Sequence, residues 1–451
     1  MAAEVLVGVD LGTTSIKALA VTPEGRVLSS ASVPTPWRHD GPRADADPVE
    51  LAQAVIGVCE RAATADSVTA LGPTAVRGIG ITGIAETGVL LDGSGRPCAP
   101  AIAWFDPRGD AAGVRERITP RDFQRATGRR LNSKPSITKI LWLQRNVPSA
   151  TSAVRHLCST EWIVHALGGE QVSEASLTSR TGLLSIGDRT PWEPASALVG
   201  DLVSPHRIWA GDPAGTAGGD IPSVLRGAVL TSAGLDHQSA VFISGAAREG
   251  ALFDSMGTAE ALIRTVQPMT ADQMERLTDD DIDIDWSVMP GLQILLAGRL
   301  TGLTLERVAS MLGADDRAAR LALGEAALGA SRSAGPRLVE VGNDAVTLAG
   351  ITDGVSPATT WRAAVEDLTA LAGVALDQMS AVAGPYDSAV IAGGWSRNAM
   401  VAAAKREQLG AYSVAEIDEP GALGAAFMAG IACGLLSRPG ADGRPVWAAA
   451  G

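Results

Sequence analysis

The stretch Val5-Leu6-Val7-Gly8-Val9-Asp10-Leu11-Gly12-Thr13-Thr14-Ser15-Ile16-Lys17 decides the fold of this chain. An apolar run stops on the acid Asp10, turns through Gly-Thr-Thr and continues as a second apolar run, which predicts a β-hairpin. Gly12 allows a bulky anion to approach the backbone, where N–H groups and threonine hydroxyls can donate to it. Asp10, at the strand end, can hold Mg²⁺ or its waters beside that anion. The stretch therefore predicts a phosphate-binding hairpin.

A partial repeat of this pattern appears near the middle of the chain. Residues 250–263 again place a Gly-Thr tip, Gly257-Thr258, between two apolar runs. Each tip lies in one half of the chain, which indicates a duplicated architecture with one phosphate hairpin per half. We expect two domains, residues 1–246 and residues 247–451, with a nucleotide bound between them.

Composition narrows the class of protein. The 451 residues are too many for one ordinary core, and 46% hydrophobic with 19% charged residues is typical of a folded globular chain. A net charge of −13 argues against nucleic-acid and anionic-membrane partners. The four cysteines are widely spaced, so we expect buried thiols in a reducing compartment. With no signal peptide and no long apolar span, the predicted location is cytoplasmic.

Hydrophobic periodicity places further elements. It predicts strands over 78–82, 89–91 and 388–392, and helices over 48–62, 137–143, 360–383, from 397 onward and 422–436. The last helix is rich in alanine and glycine, which favours close packing against a neighbour. The acidic stretch 279–285 lacks the glycine and terminal glutamate of a calcium loop, so we expect it to be a solvated surface.

Five segments in the same order resemble one family. The chain is similar, from Val5 to Gly434, to the FGGY carbohydrate kinases of the sugar kinase, actin and heat-shock ATPase superfamily. This resemblance implies an α/β fold with two ribonuclease H-like (actin-like ATPase) domains and an active site in the cleft between them. It also implies ATP and Mg²⁺ as cofactors and a small sugar or polyol as substrate. A homodimer is compatible with it, since the family includes many dimers.

The first two segments carry the first phosphate hairpin and part of the substrate site. In the hairpin, the resemblance assigns nucleotide binding to a glycine, two threonines and a lysine, namely Gly12, Thr13, Thr14 and Lys17, with Asp10 at the metal. In the second segment, residues 80–92, Glu86 falls at a position that binds substrate hydroxyls; the alternative is a surface salt bridge. Ala85 stands where glycerol kinases have arginine, and the Met-His of xylulose kinases is absent.

The third segment, residues 101–108, resembles the family's Trp-x-Asp-x-Arg pattern near the substrate cleft. It implies that Trp104, Asp106 and Arg108 are substrate ligands. Two alternatives stay open at this point. Asp106 and Arg108 can instead lock the loop by an ion pair, and Trp104 can simply pack.

The fourth segment, residues 232–240, resembles the family's Gly-x-x-Asp pattern, in which the aspartate is the catalytic base. It implies that Asp236 takes the proton of the attacking hydroxyl and lies beside the metal. The alternative is an aspartate that only caps the following helix. His237 is either a substrate ligand or a helix-capping residue.

The fifth segment group lies on the nucleotide side. The resemblance assigns nucleotide contacts to the second hairpin tip and to two further segments, 300–306 and 393–398, through Gly257, Thr258, Gly302, Gly393, Gly394 and Asn398. Glycines there let a nucleotide lie on bare backbone, and the following helix N-terminus favours phosphate.

Two functions fit the sequence. The favoured one is ATP-dependent phosphorylation of a hydroxyl on a small sugar, ketose or sugar alcohol. The alternative is an actin-like or heat-shock-like ATPase, or a pseudokinase, that binds a partner. The substrate segments around Glu86 and Trp104 have a ready use only in a small-molecule cleft, which favours the kinase.

Overall fold

The structure, a computed structural model, describes residues 2–332, 335–342 and 345–449. Its strands are β1 (Ala3–Leu11), β2 (Ser15–Val21), β3 (Val27–Pro34), β4 (Arg38–Asp40), β5 (Arg43–Ala46), β6 (Thr74–Gly83), β7 (Gly88–Leu91), β8 (Ala101–Ile102), β9 (Arg155–Cys158), β10 (Ser173–Glu174), β11 (Arg207–Ile208), β12 (Val229–Leu235), β13 (Ala251–Met256), β14 (Glu260–Val266), β15 (Asp283–Trp286), β16 (Gln293–Arg299), β17 (Arg337–Val341), β18 (Val346–Ala349), β19 (Ser388–Ala392) and β20 (Ser413–Ala415).

The helices follow in chain order. They are α1 (Pro48–Ala63), α2 (Asp66–Thr69), α3 (Ala111–Arg115), α4 (Pro120–Thr127), α5 (Ser136–Asn146), α6 (Ser159–Ala166), α7 (Ala175–Thr178), α8 (Glu193–Val199), α9 (Asp236–Ile243), α10 (Ala271–Asp279), α11 (Thr301–Met311), α12 (Arg317–Leu328), α13 (Pro357–Ala383), α14 (Ala399–Leu409) and α15 (Pro420–Ala432). Short 3-10 turns cover Pro148–Ser152, Ser223–Leu225 and Gly394–Arg397.

Two large sheets repeat one topology. The first has the order β3-β2-β1-β6-β12, with β1 antiparallel to β2 and parallel to β6. The second contains the order β16-β14-β13-β19-β20, with β13 antiparallel to β14 and parallel to β19, and adds β15 at its edge. Each sheet therefore contains three antiparallel strands extended by two parallel strands. This is the ribonuclease H-like arrangement, and it confirms the predicted duplication.

The opening hairpin forms as predicted, because both faces of β1 are buried. Val5, Val7 and Val9 belong to the core beneath α1, whereas Leu6 faces a second core on the opposite side of the sheet. A strand covered on both faces reads as a continuous apolar run instead of an alternating one. Asp10 lies near the end of this strand and pairs in register with Lys17 of β2.

Helix α15 crosses from the second half of the chain onto the first sheet. The carbonyl oxygens of Ala422 and Ala425 each lie 2.0 Å from the place that a Cβ atom would take at Gly8 or Gly80. These strand glycines therefore allow the helix backbone to sit directly on the sheet. The rings of Phe427 in α15 and Phe242 in α9 lie 5.5 Å apart. The predicted close packing of the last helix is confirmed, and its neighbour is the first sheet.

The other predicted elements form with small changes at their ends. Helix α1 begins at Pro48 because the Asp47 side chain caps the N–H groups of Val49 and Glu50. Helix α14 begins at Ala399 and not at 397, since the preceding residues form a 3-10 turn. Of the four free cysteines, Cys59 and Cys158 are buried and the other two are half-buried. Among the described residues, none of the helices has the length and apolarity to cross a membrane.

The expectation of a solvated acidic stretch over 279–285 is wrong for its second part. Asp279 and Asp281 are exposed, but Asp285 is fully buried and Asp283 is half-buried. Residues from Asp283 onward form the edge strand β15, and alternation in a strand turns these two acids to one face. The burial is possible because arginines from the first half of the chain face them.

A buried histidine near the substrate segment gives a prediction about acid stability. Burial, with a smaller effect of Lys139, lowers the pKa of His156 from 6.5 to about 4. The folded state therefore holds this imidazole neutral, and its contribution to stability is lost as the pH falls below 6.5. Between pH 7 and pH 5 we expect about 2 kcal/mol of the free energy of unfolding to be lost through this group.

The variant His156→Leu should lose less stability than the natural protein over that pH range. Urea unfolding at pH 7 and pH 5 measures the difference. The exposed His39, changed in the same way, is the control and should leave the pH dependence unchanged. Equal losses in the natural protein and in His156→Leu would contradict the assignment.

Candidate active site

A cavity of about 160 Å³ brings together residues from the first hairpin, the substrate segments and the start of α9. We call it the acceptor cavity. Its wall contains Thr13, Ile84, Ala85, Glu86, Trp104, Arg180, Leu235, Asp236, His237 and Leu296. Four of the predicted substrate-side residues, Glu86, Trp104, Asp236 and His237, therefore meet in one place.

Asp236 is the first residue of α9, directly after β12. The turn into the helix uses Gly234 with φ +79°, and the N–H of Leu235 donates to Ser176 Oγ at 3.0 Å. One Asp236 oxygen accepts the N–H of His237 at 2.7 Å. The N-cap position belongs to Leu235. The carboxylate thus stands at the cavity wall in front of a helix N-terminus, and its assignment as the base stays a prediction.

Asp10 lies against the N-terminal end of α15. Its Oδ1 is buried and has no hydrogen-bond partner among the described residues, and its Oδ2 fills the place of a Cβ at Gly421. Burial and the nearby Asp236 carboxylate raise the pKa of Asp10 to about 7. A divalent cation or its water would satisfy the orphan oxygen and favour the ionised form. The oxygen chemistry therefore fits a Mg²⁺ site.

Lys17 also contacts the N-terminal end of α15. Its ammonium forms an ion pair with Glu419 at 2.8 Å, immediately before α15 begins. Glu419 has φ +50°, in the left-handed region that a non-glycine residue seldom adopts. The predicted nucleotide contact of Lys17 would require this pair to open or to be shared.

Trp104 connects the substrate side to the phosphate hairpin. Its indole N–H donates to Thr13 Oγ1 at 2.9 Å, and Trp37 donates to the Thr13 carbonyl at 2.6 Å. Thr35 Oγ1 donates to the Gly12 carbonyl at 2.8 Å. The tip is thus held from three sides, while the neighbouring Thr14 is exposed.

Asp106 and Arg108 lock the loop that carries Trp104. Asp106 accepts the N–H of Ala44 at 2.7 Å, and the Arg108 guanidinium pairs with Asp106 at 2.7 Å and with Asp45 at 2.8 Å. Neither residue is in the wall of the acceptor cavity. This geometry favours the loop-locking alternative over direct substrate contact.

Glu86 is buried and held by two arginines. Its Oε1 accepts from Arg129 at 2.9 Å and from Arg180 at 2.9 Å, and its backbone φ is +57°. Burial alone would raise the pKa of Glu86, but Arg180 and Arg129 outweigh it and lower the pKa to about 2. The carboxylate stays ionised at neutral pH and can only accept hydrogen bonds.

A second cavity, of about 430 Å³, lies beside the tip of the second hairpin. We call it the nucleotide cavity. Its wall contains Met256, Gly257, Thr258, Arg317, Arg320, Leu321, Gly394, Trp395, Arg397 and Asn398. Aromatic rings continue behind the wall, since the rings of Trp395 and Trp361 lie 5.8 Å apart.

Two predicted glycines shape this hairpin tip by close approach. A Cβ at Gly302 would lie 1.8 Å from the Gly257 carbonyl oxygen, and a Cβ at Gly393, where φ is +98°, would lie 2.4 Å from the Met256 carbonyl oxygen. Leu303 N–H also donates to the Thr258 carbonyl at 2.7 Å. Gly302 and Gly393 therefore support the tip from behind.

Asn398 lines the nucleotide cavity but is already engaged within the protein. It caps α14 by accepting the N–H of Val401 at 3.3 Å, and it donates to the Arg320 carbonyl at 2.8 Å. It also accepts from Trp361 Nε1 at 3.3 Å. These bonds favour a role in shaping the cavity wall, and its predicted contact with the nucleotide stays a prediction.

Sequence reasoning missed several wall residues. Arg180 stands in a stretch without a motif, and Arg317 and Arg320 are placed only by the packing of α12 against α13 and α14. The sequence does contain one pattern that could have predicted the acidic partners of Arg180. The alternation Asp-Ile-Asp-Trp over 283–286 predicts a strand with one acidic face, which requires cations opposite to it when buried.

Comparison with known proteins agrees with this geometry. The family description "FGGY family of carbohydrate kinases, N-terminal domain" matches residues 5–201. The chain is 28% identical to a glycerol kinase of Aromatoleum aromaticum, covering 96% of this chain and 90% of that protein. It is 26% identical to an L-fuculokinase of Salmonella typhi, covering 97% and 94%.

Solved structures share the fold. A xylulose kinase from Rhodospirillum rubrum superposes with a TM-score of 0.84 at 21% identity, covering 95% of this chain and 90% of that one. The relatives are sugar and polyol kinases over nearly the whole chain, so the partner-binding ATPase is not favoured. The family match over residues 5–201, the near full-length relatives, the repeated sheets and the two cavities agree that this chain is similar to the FGGY carbohydrate kinases, which are ATP-dependent sugar kinases.

Proposed function

We propose that the acceptor cavity binds a small sugar, ketose or sugar alcohol and that Asp236 is the general base for its phosphorylation. The observation that carries this proposal is the meeting of Asp236, Glu86 and Thr13 in one cavity wall. A base, a hydroxyl acceptor and a phosphate hairpin are the parts that transfer to an alcohol requires.

Each wall residue has a distinct task in this proposal. Glu86, ionised at neutral pH, accepts a hydrogen bond from one substrate hydroxyl and fixes its orientation. Asp236 accepts the hydrogen bond of the attacking hydroxyl and takes its proton as the new bond to phosphorus forms. Trp104 covers the C–H surface of the substrate. His237, exposed at the cavity mouth, donates to a further hydroxyl.

The nucleotide side completes the site. Thr13, Thr14 and Thr258 donate to the transferred phosphoryl group, and Asp10 holds Mg²⁺, which when bound neutralises charge on the phosphates. The two sheet domains close over the substrates and exclude water, while α15 stays on the first sheet, against which it packs. The free cysteines support a reducing, cytoplasmic location.

An acceptor panel tests the proposal. Purified protein is given Mg-ATP with glycerol, D-xylulose, L-fuculose, xylitol, erythritol or glucitol, and ADP release is followed in a coupled assay. ADP release that depends on at least one acceptor is the expected result. Equal ADP release with and without every acceptor would favour the ATPase alternative and contradict the proposal.

A stacking role for Trp395 gives a second test of the nucleotide side. Removing an aromatic ring that stacks on a base costs about 1–3 kcal/mol, so Trp395→Ala should raise the KM for ATP about 10-fold. The KM for the acceptor should stay within about twofold, because the ring lies in the other cavity. Steady-state kinetics with each substrate varied separates the two. An unchanged KM for ATP would remove Trp395 from the binding site.

A further inference from the structure

Behind the acceptor cavity lies a buried group of charges contributed by both halves of the chain. Glu86, Arg129 and Arg180 belong to the long segment between β6 and β12, whereas Asp283 and Asp285 belong to β15 of the second sheet. The side chains of Arg129 and Asp285 are 4% and 0% exposed. We call these five residues the charge clamp.

Each arginine of the clamp bridges carboxylates from different halves. Arg180 donates to Glu86 Oε1 at 2.9 Å and to Asp285 Oδ2 at 2.5 Å. Arg129 donates to the same Glu86 oxygen at 2.9 Å and to Asp285 Oδ1 at 3.1 Å. Each carboxylate oxygen of Asp285 therefore accepts a hydrogen bond from one guanidinium, and both guanidiniums also donate to Glu86.

Two members of the charge clamp belong to the wall of the acceptor cavity, and the other three lie behind it. Glu86 and Arg180 both line the acceptor cavity, so a shift of Arg180 moves the wall. Because both arginines donate to Oε1 of Glu86, Oε2 is the oxygen left to accept from a substrate hydroxyl. A substitution that removes one partner of a buried ion pair leaves the other charge uncompensated. A single substitution in the charge clamp should therefore have a large effect on its geometry.

We propose that Asp285, from the second half of the chain, is a positioning residue for the acceptor, because it holds the two arginines that fix Glu86. The inference rests on the proposed function and deepens it. It makes the acceptor site incomplete without the second half. It also implies that the site prefers an uncharged acceptor.

The preference for an uncharged acceptor follows from how Arg180 is used. Its guanidinium is already engaged by two carboxylates, and the clamp holds more carboxylates than guanidiniums. Lys139 donates to the carbonyls of Glu86 and Trp104 at 3.2 and 3.1 Å, and the exposed Lys134 lies over the Trp104 ring at 5.7 Å. A substrate carboxylate bound beside Glu86 would therefore be repelled by that carboxylate, while Arg180 and Lys139 are already engaged within the protein.

The variant Asp285→Asn keeps the shape of the side chain and removes its charge. With the best acceptor of the panel, we expect the acceptor KM to rise about 10-fold while the KM for ATP changes less than about twofold. Asp281→Asn is the matched control, since Asp281 belongs to the same acidic stretch but pairs with Arg130 at the surface at 2.9 Å. A rise in both KM values for Asp285→Asn, or none in either, overturns the proposal.

A double-mutant cycle separates positioning from general damage. If Asp285 acts through Glu86, adding Asp285→Asn to Glu86→Gln should raise the acceptor KM by less than about twofold. Independent, multiplying effects overturn the proposal. If thermal unfolding shows that Asp285→Asn does not fold, Asp283→Asn takes its place, because Asp283 is 27% exposed and contacts Arg129 at 3.0 Å.

Matched neutral and acidic acceptors test the charge preference. The pairs are glycerol with glycerate and glucitol with gluconate. We expect kcat/KM to favour the neutral member of any active pair by about 10-fold or more. Equal or better turnover of the acids overturns the clamp proposal and leaves the kinase proposal standing. No acceptor-dependent turnover with any compound overturns the proposed function, and the clamp proposal with it.

Discussion

Asp236→Asn is expected to lower kcat for acceptor phosphorylation by about 10³-fold while ATP binding stays unchanged. The amide keeps the oxygen that accepts the N–H of His237 at 2.7 Å, so the start of α9 should hold its geometry. It cannot take a proton from the attacking hydroxyl, and a positioned base contributes about 10²–10⁴-fold to such a step. Steady-state kinetics and calorimetric titration with ATP measure the two quantities.

Asp47→Asn is the matched control for this variant. Asp47 is also an aspartate at a helix N-terminus, where it accepts the N–H of Val49 at 2.8 Å, but it lies outside both cavity walls. Its amide variant should keep full activity. If Asp236→Asn behaves like Asp47→Asn, Asp236 serves only the helix and the assignment of the base is wrong.

Gly80→Ala is expected to cost about 3 kcal/mol or more of the free energy of unfolding. The new methyl carbon would lie 2.0 Å from the Ala425 carbonyl oxygen, and neither the strand nor the helix backbone can yield locally. Activity should fall as well, because Gly421 of α15 packs against the Asp10 carboxylate and a shift of the helix would displace it. Denaturant unfolding and kcat of the same preparation test both expectations.

A glycine with open space around it provides the comparison. Gly298 lies in β16, and no atom comes within 4 Å of the place of its Cβ. Gly298→Ala should therefore be neutral or slightly stabilising, since alanine loses less backbone entropy on folding. If both variants are destabilised to a similar degree, Gly80 is not required for the close approach of α15 to the sheet.

The elements that could be predicted are those with a local signal. The hairpin around Asp10, its counterpart at Gly257, and the long helix α13 each follow from the order of apolar, glycine and hydroxyl residues within a short window. The repetition of one sheet topology in both halves agrees with the duplicated architecture predicted from the two hairpins, but the order of the strands was not predicted. The candidate site was reached by the same means, through short motifs at strand ends.

The charge clamp could not be predicted, because its partners are far apart in the chain. Arg180 and Asp285 are separated by 105 residues, and Arg129 and Asp285 by 156. No local pattern marks an arginine that will be buried against a distant acid. Residues 279–285 read as a surface stretch for the same reason, since burial of its charges depends on cations that only tertiary packing supplies.

The most direct test of the central claim follows the γ-phosphoryl group itself. ATP labelled with ³²P at the γ-position is incubated with the protein and the active acceptor, and the label is divided by chromatography between organic phosphate and inorganic phosphate. We expect nearly all of the label on the acceptor, with little inorganic phosphate when the acceptor is left out. Label released mainly as inorganic phosphate, with or without acceptor, would contradict the account.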